Sequence, residues 1–441
     1  MAARSDVVAG LSFIELWGVV VANLALRQPA LRTIGEALLC LLIALALLRA
    51  SRHIRLLASV LLLATAALAW RAGDWRIAER GLGGALAVGA FLPVIVLLRA
   101  SVEASPAIAA IRTRVSAMAV PERRAWMTGG AHLVGSILTL GYVSVMRPML
   151  PESLDASERM AIAECGVRGL GLAITWSPFF VASAVASQLV PQAAPWQLVL
   201  VGLGLAGCGA LIAHVMFNRS LGPAALARAL RRLAPIVLPT VLLVGAVVGV
   251  GTAAGWNALQ AVIVVIPVVC FGYLLATAPG RLIAVANAVV RGAGRMGDEL
   301  LILVASTVFG AAIAGFTPPA MLDAATALLS PLPGLLIGLE VLLIAGLGLL
   351  GLHPMVTASV LVPYTLAAEL PIAAAVLAQI VVLGWSVSSM AAPWTLPVVV
   401  TATSFGIPVR RLVLGPNLGF VAVFALAGSG LLTVVNAYLM S

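Results

Sequence analysis

The chain has 441 residues, 62% of them hydrophobic and 10% charged, with a mean hydropathy of +1.14. That balance excludes a soluble protein, and apolar stretches of roughly 15 to 22 residues recur from end to end, most long enough to cross a ~30 Å hydrocarbon core as helices rather than as short barrel strands. The net charge of +10 comes from 26 arginines, no lysine and 16 acids; the arginines fall in short polar connections, as the positive-inside bias requires, so they call for no nucleic-acid partner.

The expected fold is an all-α polytopic membrane protein of about 10–13 transmembrane helices. Four apolar segments come first, at 7–26, 34–48, 56–70 and 82–98. The first holds Glu15 and lacks a small-residue cleavage site, so it reads as a retained helix rather than a signal peptide. Arginine counts in the connections favour a cytoplasmic N-terminus. Residues 101–126 interleave Ala and Ile with arginines and read as a helix lying along the inner membrane surface. The connection 147–164, with Glu152, Asp155, Glu158 and Glu164, is the most acidic stretch and is expected outside.

Parity then becomes informative. The arginines at 219–232 belong inside, yet simple alternation puts them outside, and a hairpin over 168–190 broken near Pro178 restores them to the cytoplasm. Two spans follow, at 236–254 and 259–276, then an inner connection with Arg281, Arg291 and Arg295. The later part reads as spans at 300–316 and 335–350, a hairpin with its tip at Gly351-Leu352-His353, a span at 372–385, an interrupted segment at 386–405 and a last helix from Leu412. Cys40, Cys165, Cys208 and Cys270 lie in or beside apolar runs without CxxC spacing and read as small buried hydrophobes.

One motif occurs in each half. Gly130-Ala131-His132-Leu133 is followed by Thr175-Trp176-Ser177-Pro178-Phe179, and Gly351-Leu352-His353-Pro354 by Gly384-Trp385-Ser386-Val387-Ser388-Ser389 and Ala392-Pro393-Trp394-Thr395. The expected organisation is N-terminal helices and a surface helix over 1–126, a first repeat over 127–233, connecting helices over 234–298 and a second repeat over 299–441. Paired interrupted segments point to a secondary transporter, because unwound backbone is tolerated at membrane depth only where it lines a cavity. The repeats are expected to be inverted, with broken helices or re-entrant hairpins, although the span count alone does not force it.

The motifs supply the candidate substrate-binding residues: His132, Trp176, Ser177, Pro178, His353, Ser386, Ser388, Ser389, Pro393 and Thr395. Hydroxyls beside Gly and Pro offer oxygen ligands, freed N–H groups of half-helices attract a carboxylate, and a protonated imidazole can bind an anion. The blander reading is a proline kink, packed histidines and hydroxyls bonded to their own helix. Glu340, well inside its span, is the candidate proton-coupling carboxylate, with Thr401 and Ser404 as further ion-coupling positions. No cluster has metal-ligand spacing, and no P-loop, nucleophile elbow or dinucleotide fingerprint is present, so no catalytic residue, metal or cofactor is assigned beyond Na⁺ or H⁺ as coupling ion.

Trp176-Ser177-Pro178-Phe179 in one half and Ser388-Ser389-Met390-Ala391-Ala392-Pro393 in the other, each followed by a Pro-bounded turn at Pro191 and Pro408, resemble the ion transporter superfamily of bacterial permeases. That group includes the divalent-anion/sodium symporters and the large subunits of tripartite periplasmic transporters. The resemblance covers 127–441 and implies two inverted repeats, a scaffold with a moving transport domain, an elevator mechanism and small organic anions carried with Na⁺ or H⁺. The Ser-Asn-Thr signature of the dicarboxylate symporters is absent from both motifs. The resulting expectation is a permease, not an enzyme, of the bacterial inner membrane, whose partners are an organic anion and the lipid bilayer, with room for a homodimer. The alternatives are an integral membrane enzyme of envelope polysaccharide or lipid metabolism, which calls for a large outer loop, and a membrane scaffold subunit.

Overall fold

A computed structural model describes residues 2–105, 120–151, 154–219, 222–316 and 318–441. It is 86% helical, without strands among the described residues, and eleven helices are long and apolar enough to cross a membrane. The protein is an all-α polytopic membrane protein. Most of the expected surface helix, residues 106–119, lies outside the described residues, as does Glu152.

Four helices open the chain: α1 (Ala2–Leu26), α2 (Pro29–Arg49), α3 (Arg52–Ala72) and α4 (Arg76–Glu103). Next come α5 (Val120–Leu138), the short α6 (Tyr142–Met146), α7 (Ala156–Ile174), α8 (Val181–Leu189) and α9 (Pro195–Phe217). The middle holds α10 (Pro223–Arg231), α11 (Ala234–Ala254), α12 (Ala258–Thr277), α13 (Leu282–Ala293) and α14 (Gly297–Phe316). The last set is α15 (Pro319–Leu329), α16 (Pro333–Leu349), α17 (Pro354–Ala367), α18 (Ala374–Ala391), α19 (Leu396–Phe405), α20 (Val409–Leu414) and α21 (Pro416–Met440). Helices α1–α4 pack with α12–α14 into one layer, while α5–α9 pack with α16 and α18–α21; α17 joins the two, resting on α14 where Gly310 meets Ser359.

Helices α5 and α7 run parallel. Arg123 pairs with Glu158 at their starts, 3.0 Å apart, and near their ends the Ser177 hydroxyl donates to the Ser136 carbonyl at 2.6 Å. Parallel neighbours require the chain to return between them. It turns at Thr139, a β-branched residue at φ 50°, and α6 comes back until Met146 fills the space beside Gly130. Residues 122–149 are apolar and long enough to span, yet they form a hairpin that enters and leaves at one face. This corrects the expected hairpin at 168–190: the first re-entrant element is α5–α6, and α7–α8 is the broken crossing.

The second half repeats the device. Helices α16 and α18 are parallel, with Gly384 against Ile344 and Ser388 against Gly348. The chain turns at Gly351, whose φ of 100° suits a residue without Cβ, and α17 returns so that the Thr365 hydroxyl bonds Glu340. The expected hairpin tip at 351–353 is where the turn lies.

Equivalent helices of the two halves meet antiparallel. In α4 and α14, Gly81 lies on Val308 and Gly89 near Leu300; in α9 and α21, Gly204 approaches Leu431 and Gly209 approaches Phe424. In α7 and α18, Ser386 donates to the Gly171 carbonyl at 2.7 Å, while the end of each helix lies beside the middle of the other. The two repeats are therefore inverted.

The faces of the molecule follow from its ionic contacts. Asp6 meets both Arg49 and Arg295, the Ser51 N–H meets Asp298, and Arg281 donates to the Ala104 carbonyl, so the start of α1, the end of α4 and the 277–298 connection share one face. Glu122 pairs with Arg228 at 2.9 Å, which brings α10 to the mouth of the first hairpin on that same face. Glu158, paired there with Arg123, belongs to it as well. The acidic connection was expected opposite the arginines at 219–232; because α5–α6 is a hairpin, both lie on one side. At that face Asp155 caps α7 by accepting the Glu158 N–H at 2.8 Å, and this bond holds its carboxyl below the usual aspartate range. The opposite face carries Arg27, Arg32, Arg71, Arg76 and Arg80.

Candidate functional site

Two breaks interrupt the crossing helices at the heart of the α5–α9 and α16–α21 layer. The first runs from Thr175 to Phe180, where Pro178 supplies no N–H and disfavours helical backbone at Ser177. The second is shorter, Ala392 to Thr395, and holds Pro393. Trp385, Ser386, Ser388 and Ser389 lie in α18 before it, which corrects the interrupted segment expected at 386–405.

Hairpin α5 ties down the first break at two successive turns. The Trp176 indole N–H donates to His132 Nε2 at 3.1 Å, and one turn on Ser177 bonds the Ser136 carbonyl. Ser177 Oγ also accepts the Phe179 N–H at 3.3 Å, and Ser183 donates to the Ser177 carbonyl at 2.7 Å. Behind the break, Thr175 donates toward the Gly202 carbonyl at 3.0 Å; a Cβ on Gly202 would sit 2.6 Å from Trp176 Cα, so only glycine lets α9 approach this closely. A small, partly open cavity with room for about one water-sized body lies there, its lining including Thr175, Trp176, Pro178, Ser183 and Gln379.

At the second break the Trp394 indole donates to the Gly348 carbonyl of hairpin arm α16 at 3.0 Å, and Thr395 folds back on the carbonyls of Ala392 and Ser389. Ser388 Oγ, fully buried over Gly348, has no hydrogen-bond partner among the described residues, and neither has Thr357 Oγ1 on α17. His353 caps α17, its Nδ1 accepting the Met355 N–H at 3.3 Å, and meets Trp385 edge-on with ring centres 5.1 Å apart. His132 therefore sits inside a hairpin arm while His353 sits at a hairpin tip, so the two are not equivalent positions of the repeat. Both accept a hydrogen bond at one ring nitrogen, which an imidazolium cannot do, so neither is placed here as a cationic anion ligand.

The structure does not bring Ser177 together with Ser389 and Thr395. The first break lies level with residues 379–382 of α18, and the second begins at 392, ten to thirteen residues further on. At 1.5 Å per residue the two breaks stand on the order of 15–20 Å apart along the helices. What meets between them is the crossing of Gly171 and Ser386. Thr401 is buried and shares a 2.8 Å hydrogen bond with Tyr142, whereas Ser404 is exposed on α19. Glu340 is 3% exposed; one oxygen accepts from Thr365, the other has no partner, and no cation pairs with it among the described residues.

Residues outside the candidate site set hold the arrangement together; Arg168 and Glu164 stand out in the sequence as charges at the edge of the first motif, whereas Asn417 and Gln379 do not. Arg168, 2% exposed, donates to Glu164 at 2.7 Å and to Asn417 Oδ1 at 3.2 Å, with its guanidinium 3.7 Å from the Phe217 ring centre. Asn417 Nδ2 in turn donates to the Met390 carbonyl, in the last turn before the second break, at 2.8 Å. Gln379, its counterpart beside the first break, donates to the Leu198 carbonyl at 2.7 Å and leaves Oε1 without a partner. The signal was present as a lone Asn and a lone Gln inside apolar runs, and as the small-residue spacing Gly166, Gly169, Gly171.

The fold and its breaks define the class: a polytopic membrane protein built from two inverted repeats, each with a re-entrant hairpin and a broken crossing helix. No family model matches the chain, and no curated protein matches it.

Proposed function

We propose that the protein is a secondary active transporter that moves a small organic anion across the bacterial inner membrane by elevator-type alternating access, coupled to H⁺ or Na⁺. One observation carries this reading: two hairpins enter from opposite faces and flank two antiparallel broken helices. Broken helices at membrane depth leave backbone donors and acceptors that only a polar cavity or a solute can satisfy, and inverted repeats supply the two mirror-related states that alternating access needs. The resemblance to the ion transporter superfamily points the same way. In this reading α5–α9 and α16–α21 form the carrier, α1–α4 with α12–α14 the scaffold, and Glu340 the proton-binding group. Purified protein in liposomes should then show counterflow of a labelled carboxylate or other organic anion. Absence of counterflow across a panel of organic anions would overturn the reading.

The arginine-rich face, which holds the N-terminus, is on this reading cytoplasmic. Single cysteines at Ser157 and Arg228 should both react with an impermeant maleimide only from the inside, and one at Trp75 only from the outside. Labelling of Ser157 and Arg228 from outside the cell would invert the assignment.

A further inference from the structure

The two breaks are tied to their hairpins by the same kind of bond and by different acceptors. Each uses a tryptophan indole N–H: Trp176 to His132 Nε2 at 3.1 Å in the first repeat, Trp394 to the Gly348 carbonyl at 3.0 Å in the second. A peptide carbonyl accepts at any pH of biological interest. An imidazole nitrogen accepts only while it is unprotonated.

We propose that His132 is a positioning residue that holds the first break closed in its neutral form alone, so that acid releases the first break and leaves the second untouched. The indole N–H can only donate, so His132 Nε2 must present its lone pair and the ring proton must sit on Nδ1. That nitrogen is buried without a hydrogen-bond partner among the described residues, with the Gly169 backbone beside it. A second proton would set two N–H groups against each other across the Trp176 contact, and the bond would be lost. Ser136 would then be the remaining tie between the hairpin and the break. The titratable and charged groups on elements packed against α5 are Glu158, Arg159, Glu164, Cys165 and Arg168 on α7, Tyr142 on α6, Arg228 and Arg231 on α10, and Arg76, Glu79, Arg80, Arg99 and Glu103 on α4. None makes a hydrogen bond or ion pair with His132 among the described residues, so Trp176 is the partner that its protonation disturbs.

The inference deepens the transporter reading by giving one of its breaks a pH-dependent latch, but its test needs no transport. Hydrogen exchange of the purified full chain in detergent, corrected for intrinsic rates, is followed from neutral to acid pH. Exchange at 176–183 should rise on acidification, by about fivefold for one lost hydrogen bond, while exchange at 394–399 stays level. His132→Gln, whose amide oxygen accepts but does not titrate, should abolish the rise. Trp176→Phe should give the released exchange at every pH. An acid rise that persists in His132→Gln, or that appears equally at both breaks, would overturn the proposal, whereas failure of counterflow with this pattern intact would overturn only the transport reading.

Discussion

Replacing Arg168 by methionine should leave little folded protein. The guanidinium is 2% exposed, and its removal strands the Glu164 carboxylate, itself 5% exposed, whose other oxygen already lacks a partner. Breaking a buried pair from one side costs about 3–5 kcal/mol, comparable with much of a domain's net stability. The loss spreads beyond the pair, because Arg168 orients Asn417, and Asn417 holds the Met390 carbonyl at the approach to the second break. Glu164→Gln combined with Arg168→Met removes both charges and should recover most of the folded protein. Fluorescence-detected gel filtration and thermal midpoints of the two variants check this. A single Arg168→Met as stable as the parent would mean that the network contributes nothing.

Glu340→Gln should separate coupling from exchange. The carboxyl sits between the arms of the second hairpin with a hydroxyl on one oxygen and, among the described residues, no partner on the other and no cation paired with it. Holding an isolated charge in such a place is costly, and the amide keeps the shape of the acid form without being able to release a proton. On the transporter reading the variant should keep counterflow and lose accumulation driven by a pH gradient. Unchanged pH-driven accumulation would assign Glu340 to hairpin packing through Thr365 and turn attention to Na⁺.

The membrane class and the two motifs were legible in the sequence because hydropathy and proline placement act locally. The second hairpin tip was legible too, since Gly351 follows a long apolar run and Pro354 starts the next helix. The first hairpin was hidden. Its turn uses Thr139 in a left-handed conformation without Gly or Pro at that position, and residues 122–149 carry enough apolar sequence to pass as one span. That single misplacement moved the re-entrant element to 168–190 and set the acidic connection opposite the arginines at 219–232, whose face it shares. Trp385-Ser386 looked like the partner of Trp176-Ser177, yet three-dimensional equivalence pairs the breaks themselves, and Ser386 serves instead as the crossing contact with Gly171. The convergence of Ser177 with Ser389 failed for the same reason: a motif's spacing does not report where antiparallel helices cross.

On the transporter reading, the layer of α5–α9 and α16–α21 moves as a body against α1–α4 and α12–α14. Helix α8 is where this can be tested most directly, because it packs on α4 and α12 and its Gln188 reaches Thr307 of α14 at 3.3 Å. With cysteines at Gln188 and Thr307, a short bifunctional thiol reagent should abolish organic-anion counterflow in liposomes. The same reagent on cysteines at Arg123 and Glu158, both within the moving body, should leave counterflow intact. Full counterflow in the cross-linked Gln188–Thr307 pair would show that the two layers do not move against each other during transport.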